Sequence, residues 1–273
     1  MAIDPEPDWV PPGVDTKRAN VARVYDYWLG GTHNFLADQD AGRALVAIEP
    51  LMREIAKANR AFLGRAVRYL ASEGIGQFLD IGSGIPTSGN VHEVAQLANP
   101  AARVVYADVD PVAIAHSKAI LAGNDKAAII DADVRQPEKI LANDTVSRLI
   151  DFTRPVGLIL MVVLHFISDS ENPCQLVAAL GDALPSGSYL VIGHATSEGN
   201  KPSVAQATET AYNRSVTTAL HLRSRGEVRR LFDGFELVDP GLVYANGWRP
   251  EPDEDAVPEL AEYGTLVGVG RKP

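Results

Sequence analysis

Short apolar runs alternate with helix-length segments from residue 75 to the carboxyl end of the chain. This rhythm is typical of β-α-β units, in which the strands of a mostly parallel sheet are joined by helices. It predicts seven strands, at Gln77–Ile81, Arg103–Asp108, Ala127–Asp131, 156–164, Tyr189–Ala195, 236–242 and 265–270. Helices are predicted at 89–97, 112–121 and 175–184. Because no helix-length segment follows strand six, we expect an α/β fold that closes with an antiparallel hairpin.

The first 74 residues follow a different pattern. Residues 1–15 carry four prolines among acidic residues, which predicts a flexible tail. From Thr16 onward, apolar residues at helical spacing predict one helix that ends at Gly30-Gly31, a second at 37–48 and a third from after Pro50 to Gly74. We therefore divide the chain into a tail (1–15), a helical segment (16–61) and an α/β domain (62–273).

The composition narrows the class of protein. The 25 basic and 35 acidic residues leave a net charge of −10, which disfavours a nucleic-acid partner. The longest apolar run, 156–164, is far shorter than the roughly 20 residues that cross a bilayer. Cys174 is the single cysteine, and the acidic, proline-rich start is unlike a secretory signal, so we expect a cytoplasmic protein without disulfides. No metal site is predicted, since Gln96 stands where the pattern starting at His92-Glu93 needs a second histidine.

A glycine turn follows the first predicted strand. Asp80, Gly82, Ser83 and Gly84 lie at the carboxyl end of this strand, where doubly wound sheets open a ligand-binding crevice. Glycine permits close approach of a ligand to the backbone. Taken alone, the turn is also compatible with a purely structural role.

Two further acids end the next two strands. Asp108 lies 24 residues after Gly84, a distance at which a carboxylate accepts hydrogen bonds from ribose hydroxyls; the alternative is a helix N-cap, because Pro111 follows. Asp133, followed by Val134, is placed to contact an adenine ring, or else is a solvated loop acid. Together with the glycine turn, these positions predict a nucleoside cofactor.

Asp80 separates the candidate cofactors. A carboxylate two residues before the glycines repels a pyrophosphate and attracts the cationic amino and sulfonium groups of S-adenosylmethionine. Thr87 stands where the dinucleotide pattern needs a last glycine or alanine, and Pro86 stiffens the turn. We therefore favour S-adenosylmethionine over NAD.

These features resemble the class I S-adenosylmethionine-dependent methyltransferases. The chain most resembles an actinobacterial family of predicted methyltransferases without an assigned substrate. The stretches that carry this resemblance are Ala22-Arg23-Val24-Tyr25-Asp26-Tyr27-Trp28-Leu29-Gly30-Gly31 with Asn34-Phe35, Ala58-Asn59-Arg60-Ala61-Phe62-Leu63, Phe78 to His92, Val163-Leu164-His165-Phe166-Ile167, and Gly187-Ser188-Tyr189-Leu190 with Ser197. They extend over nearly the whole chain.

The resemblance implies a Rossmann-like, doubly wound sheet of seven strands in the order 3-2-1-4-5-7-6, the last strand antiparallel. It also implies that Asp80, Gly82, Ser83 and Gly84 hold the methionine part of the cofactor. Asp108 would hold the ribose, and Asp133 and Val134 the adenine. The chain departs from the common pattern at Pro86, where the class has a third glycine.

The resemblance further implies that the helical segment is a lid over the cofactor and the acceptor. Tyr25, Tyr27, Asn34 and Arg60 are the candidate lid residues. The aromatic rings would face the sulfonium and Arg60 would hold the cofactor carboxylate. Equally, the tyrosines would only pack the lid onto the domain, and Arg60 would pair with a surface acid.

His165, at the end of the fourth predicted strand, is the candidate catalytic residue, either as a general base or as a structural histidine. His194 and Tyr212 are weaker candidates. We expect in-line methyl transfer to a small molecule, without a nucleic-acid or membrane partner. The alternatives are a non-catalytic S-adenosylmethionine-binding sensor or scaffold and, less favoured, a nicotinamide-dependent oxidoreductase.

Overall fold

The chain folds around one mixed sheet. A computed structural model describes residues 10–87, 89–199, 202–251 and 257–273, so most of the predicted tail lies outside the described residues. Eight strands form the sheet: β1 Gln77–Ile81, β2 Arg103–Asp108, β3 Ala127–Asp131, β4 Gly157–Met161, β5 Tyr189–Ala195, β6 Glu236–Leu237, β7 Val243–Tyr244 and β8 Thr265–Arg271.

The strand order is β3-β2-β1-β4-β5-β8-β6, and β7 also pairs with β8. Strands β1 to β5 are parallel, whereas β8 is antiparallel to β5. This arrangement confirms the predicted order, with β8 as the predicted seventh strand. It also brings the carboxyl ends of β1 to β4 to one edge of the sheet.

Two of the predicted strands are shorter than expected. The apolar run 156–164 is a strand only from Gly157 to Met161, because Val162 turns the backbone with a φ of 51°. The predicted sixth strand, 236–242, forms a strand only at β6; a second short strand, β7, begins just after its predicted end and lies along the same edge of β8. Pro240, which lacks an N–H group, and Gly241, with a φ of 84°, interrupt the pairing between them.

Ten α-helices are described: α1 Val21–Trp28, α2 Leu36–Ile48, α3 Met52–Ser72, α4 Val91–Ala98, α5 Pro111–Ile120, α6 Pro137–Leu141, α7 Asp144–Leu149, α8 Pro173–Asp182, α9 Pro202–Ser215 and α10 Arg225–Arg230. The first helix begins at Val21 rather than Thr16, since the Asn20 side chain caps it by accepting the Ala22 amide. Helix α3 runs without a break through the proposed boundary between residues 61 and 62.

Apolar side chains cover both faces of the sheet. On β1, Phe78 packs into one core with α3, and the next residue, Leu79, packs into the core on the opposite face. Every residue of β1 is buried, as expected for a central strand covered on both sides. Because both faces are filled, the open space near β1 is found at its end rather than along its length.

The helices of the predicted lid pack together through a third apolar cluster. It joins α1, α2, the first turns of α3 and helix α9, and its members include Val24, Trp28, Leu45, Ala56 and Tyr212. Helix α3 therefore belongs to both units, because its later residues, such as Phe62 and Leu70, pack on the sheet. Among the described residues, none of the helices is both long and apolar enough to span a membrane.

Candidate active site

A cavity of about 270 Å³ lies between the carboxyl ends of the strands and the helical lid. Ten of the twelve candidate site residues line it. They are Tyr25, Arg60, Asp80, Gly82, Ser83, Gly84, Asp108, Asp133, Val134 and His165. Those at the strand ends, at positions 80, 82–84, 108, 133 and 134, form what we call the acidic wall.

The loop after β1 has a backbone that only glycine adopts readily. Gly82 and Gly84 have φ values of 75° and 66°, in the left-handed region. The Gly82 amide donates to the Ala107 carbonyl of β2 at 2.8 Å, which ties the loop to the neighbouring strand. A Cβ atom on Gly82 would lie 2.4 Å from Cγ2 of Val163, whereas one on Gly84 would meet no atom within 4 Å. Gly82 therefore serves packing as well as conformation.

This difference predicts unequal effects of two matched substitutions. Gly82→Ala and Gly84→Ala each place a Cβ atom in the left-handed region, which costs about 1–2 kcal/mol. Gly82→Ala also overpacks against Val163, which adds about 1–3 kcal/mol. We expect denaturant unfolding of the cofactor-free protein to show the larger loss for Gly82→Ala. Equal losses for the two variants would contradict the steric role of Gly82.

Asp108 organises the same loop. Its Oδ2 accepts the Gly84 amide at 2.7 Å, and its Oδ1 accepts the amides of Val109 and Asp110 at 2.8 and 2.9 Å. The alternative role as a helix N-cap belongs instead to Asp110, whose side chain accepts the amides of Val112 and Ala113. Asp108 thus links the ends of β1 and β2 at the acidic wall.

Asp80 is a buried acid beside a cation. Its residue is 4% exposed, and burial, with the nearby Asp108, raises the pKa of the carboxyl from 3.8 to about 7, although the charge of Arg60 opposes this shift. Arg60 also donates to the Gly89 carbonyl at 3.2 Å, which holds the lid helix α3 against the loop before α4. A further cationic partner, such as a positively charged group of a ligand, would therefore stabilise the ionised form of Asp80.

The third strand end provides a polar and an apolar group. Asp133 is partly exposed, and its Oδ1 accepts the Arg135 amide at 2.9 Å. Arg135 in turn donates to Glu171 and to the carbonyl of Phe166, so it connects the loops after β3 and β4. Val134 is buried beside them.

Two predicted lid residues, Tyr27 and Asn34, do not line the cavity. The Tyr27 ring packs on Gly42 of α2, and the Arg53 guanidinium lies 4.9 Å from its centroid. Asn34 donates to Asp26 Oδ2 at 2.8 Å and to the Gly31 carbonyl at 2.9 Å. Both side chains stabilise the lid itself.

Among the lid residues that line the cavity, Tyr25 and Asn59 lie close to Arg60. The Tyr25 hydroxyl donates to the Ala56 carbonyl at 3.1 Å, and burial raises the pKa of Tyr25 to about 12. Asn59 is buried, and its Oδ1 has no hydrogen-bond partner among the described residues; the same holds for the Oγ of Ser83. Unpartnered polar atoms on both sides of the cavity suit a polar ligand between them.

His165 lies in a 3₁₀ turn, Leu164–Phe166, beyond the end of β4 rather than on the strand. Its Nδ1 accepts the Ala195 amide at 3.3 Å, so the proton of the neutral ring lies on Nε2. Burial, followed by His194 and Arg223, holds the pKa of His165 well below its usual range. The ring is therefore a hydrogen-bond donor and not a free base.

Arg223 fixes this turn, a role that sequence reasoning missed. The buried guanidinium donates to the carbonyls of Leu164 and Ile167 at 3.0 and 2.7 Å, and to Nε2 of His194 at 2.9 Å. Nδ1 of His194 donates to the Ala195 carbonyl at 2.7 Å. Burial lowers the pKa of His194 to about 4, which keeps its Nε2 free to accept. His194 itself does not line the cavity.

The lid, the turn after β4 and the segment from α9 to Leu222 supply an apolar part of the cavity lining. This apolar wall consists of Tyr25, Trp28, Leu29, Met52, Phe166, Tyr212, Leu220 and Leu222. The rings of Phe166 and Tyr212 stack with their centroids 5.9 Å apart. One cavity thus combines the acidic wall, which is suited to a nucleoside cofactor, with the apolar wall.

Comparisons with known proteins identify the family and the fold. A family profile described as S-adenosyl methyltransferase matches residues 7–273. A methyltransferase candidate from Thermobifida fusca has a crystal structure with a TM-score of 0.90 and 41% identity, covering 97% of this chain and 99% of that chain. A DUF574 family protein from Streptomyces avermitilis has a TM-score of 0.90 and 38% identity, covering 95% and 99%. No curated protein matches the sequence.

Proposed function

The chain belongs to the S-adenosyl methyltransferase family, and from this premise we propose that it transfers a methyl group from S-adenosylmethionine to a small molecule in the cavity. Family and fold make it an S-adenosylmethionine-dependent methyltransferase. The observation that carries the proposal is the pairing of an acidic and an apolar wall in one cavity between the strand ends and the lid.

The residues of the acidic wall fit the cofactor. Asp80 would hold its cationic amino group, and Arg60 its carboxylate. Asp108 would accept a ribose hydroxyl at the one position on Oδ2 that its three amide donors leave free, while Asp133 and Val134 would contact the adenine. When bound, S-adenosylmethionine supplies a methyl group made electrophilic by the positively charged sulfur.

The protein's part in the transfer is positioning and exclusion of water. The lid and α9 cover the cavity, so that an acceptor is held against the cofactor side in a dry setting. His165, as a neutral Nε2–H donor, would orient an acceptor oxygen or nitrogen atom rather than remove its proton.

Calorimetry with S-adenosylmethionine, S-adenosylhomocysteine and NAD tests the cofactor assignment. We expect the first two to bind and NAD not to bind. Radiolabelled S-adenosylmethionine, incubated with the enzyme and a pool of small metabolites, should then yield a labelled organic product. Firm binding of NAD without binding of either S-adenosyl compound would reject the proposal.

The pKa of Asp80 predicts a pH dependence of cofactor binding. Below its pKa of about 7 the free protein holds a neutral carboxyl, which must lose its proton to pair with a cation. Affinity for S-adenosylhomocysteine should therefore fall as pH is lowered through 7, by up to about tenfold per pH unit. Calorimetry between about pH 6 and pH 8 measures this slope. Asp80→Asn is the control, and an equally steep slope in that variant would contradict the assignment to Asp80.

A further inference from the structure

The apolar wall has a composition that limits the acceptor. Its aromatic members are Tyr25, Trp28, Phe166 and Tyr212. The rings of Tyr25 and Trp28 pack edge-on, with their centroids 6.4 Å apart. Tyr212 is 5% exposed and lines the cavity beside the ring of Phe166. Flat aromatic surfaces favour a planar ring, by stacking or by edge contacts.

One acid interrupts this side of the cavity. Glu49 follows the last residue of α2, lines the cavity and is 6% exposed. Its Oε1 accepts the Leu51 amide at 3.2 Å, which is the one hydrogen bond to this carboxylate among the described residues. Burial raises the pKa of Glu49 because the charged form lacks solvent. A buried carboxylate with so few partners is stabilised by a ligand that donates to it.

The cationic side chains that line the cavity lie beside the acidic wall. Among the described residues that line the cavity, the cations are Arg60 and Arg135. Arg60 acts on Asp80, and Arg135 pairs with Asp133, so each of these cations already lies beside an acid of the acidic wall. The acceptor side therefore presents a negative group and no positive one, which selects against carboxylates and phosphates.

We propose that the acceptor is an amine that carries an aromatic ring, with the ring against the apolar wall and the amino group hydrogen-bonded to Glu49. The inference rests on the proposed methyltransferase function, since it assigns the acidic wall to the cofactor. Glu49 then selects acceptors with a positively charged or hydrogen-bond-donating group. The aromatic residues of the apolar wall select a planar ring.

Calorimetry of the full chain saturated with S-adenosylhomocysteine tests this with four small probes: benzylamine, benzyl alcohol, benzoate and cyclohexylmethylamine. We expect benzylamine to bind about tenfold or more tightly than benzoate or benzyl alcohol, from a charged hydrogen bond. It should bind about three- to tenfold more tightly than its saturated analogue. Benzoate binding as tightly as benzylamine overturns the charge assignment, and equal binding of the saturated amine overturns the aromatic one.

Glu49→Gln and the matched control Asp40→Asn identify the residue. Asp40 lies on α2, the helix that Glu49 follows, and its side chain is 73% exposed. We expect the preference for benzylamine to disappear in Glu49→Gln and to persist in Asp40→Asn. Affinity for S-adenosylhomocysteine should be unchanged in both, which also reports that the variants are folded. Reduced cofactor affinity in Glu49→Gln would place Glu49 at the cofactor and overturn the proposal. Failure of the unmodified chain to bind S-adenosylhomocysteine would instead refute the proposed function itself.

Discussion

Asp80→Asn should make the cofactor-free protein more stable at about pH 8 while weakening its binding of S-adenosylhomocysteine by about 10–100-fold, the range of a lost charged hydrogen bond. The two effects have one cause. In the cofactor-free protein, the ionised carboxyl of Asp80 is buried and lowers the stability of the fold. A ligand cation offsets this cost, and asparagine removes both the cost and the attraction.

The sign of the stability effect follows from the pKa values. The carboxyl titrates near 3.8 in the unfolded chain and near 7 in the fold, so the folded state binds more protons between these values. Stability therefore falls as pH rises through this window, and the full penalty is present above 7. A shift of this size corresponds to an upper bound of about 4 kcal/mol. We expect a gain of about 1–3 kcal/mol for Asp80→Asn at about pH 8 and little gain at about pH 4.

Denaturant unfolding at the two pH values measures this difference. Asp131→Asn is the matched control, because Asp131 also ends a strand of the sheet but is exposed. Its stability should change little at either pH. A loss of stability in Asp80→Asn at about pH 8 would show that the carboxylate is held by favourable contacts in the free protein, which contradicts this account.

The strands next to the acidic wall were predictable because local pattern and tertiary role coincide there. β1, β2, β3 and β5 have the predicted bounds, since a buried parallel strand is a short apolar run. The run 156–164 misled because an apolar sequence fits a buried 3₁₀ turn as well as a strand. Only the backbone at Val162, with its φ of 51°, reveals where β4 stops.

The acidic wall was also accessible from sequence, because its acids lie directly after strands whose ends converge at one edge. The apolar wall was not. Its members Trp28 and Tyr212 lie on α1 and α9, far apart in sequence, and they join one cluster only because the lid packs against α9. Asn34 shows the converse case, since a residue in a recognisable motif can serve the turn between α1 and α2 rather than the ligand.

No local sequence pattern indicates the role of Arg223. An arginine in a polar segment suggests a surface residue, yet this one is 5% exposed and its bonds reach residues more than fifty positions earlier in the chain. Its guanidinium can hold several acceptors at once because its donors form a planar fork. We infer that Arg223 is a positioning residue, which sets His165 by holding the carbonyls on either side of it.

Arg223→Met is therefore expected to lower the free energy of unfolding by about 2 kcal/mol or more, since each buried acceptor left without a donor costs about 1–3 kcal/mol. The acceptors left without a donor are the carbonyl of Ile167 and Nε2 of His194, whereas the carbonyl of Leu164 keeps the Ile167 amide at 3.2 Å. Arg223 also pairs with Asp169, whose side chain is 87% exposed. Asp169→Asn removes only that exposed pair and should cost less than about 1 kcal/mol.

Stability alone would not distinguish a positioning role from a structural one, so the ring of His165 must be observed directly. Nitrogen NMR of labelled histidine should show the neutral Nε2–H form of His165 in the unmodified protein and in Asp169→Asn. In Arg223→Met the turn loses its anchors, and the ring should sample both tautomers and titrate closer to its usual pKa. Affinity for S-adenosylhomocysteine should stay within about threefold, because Arg223 does not line the cavity. A His165 signal unchanged in Arg223→Met would reduce Arg223 to a residue that stabilises the fold without setting the acceptor side of the site.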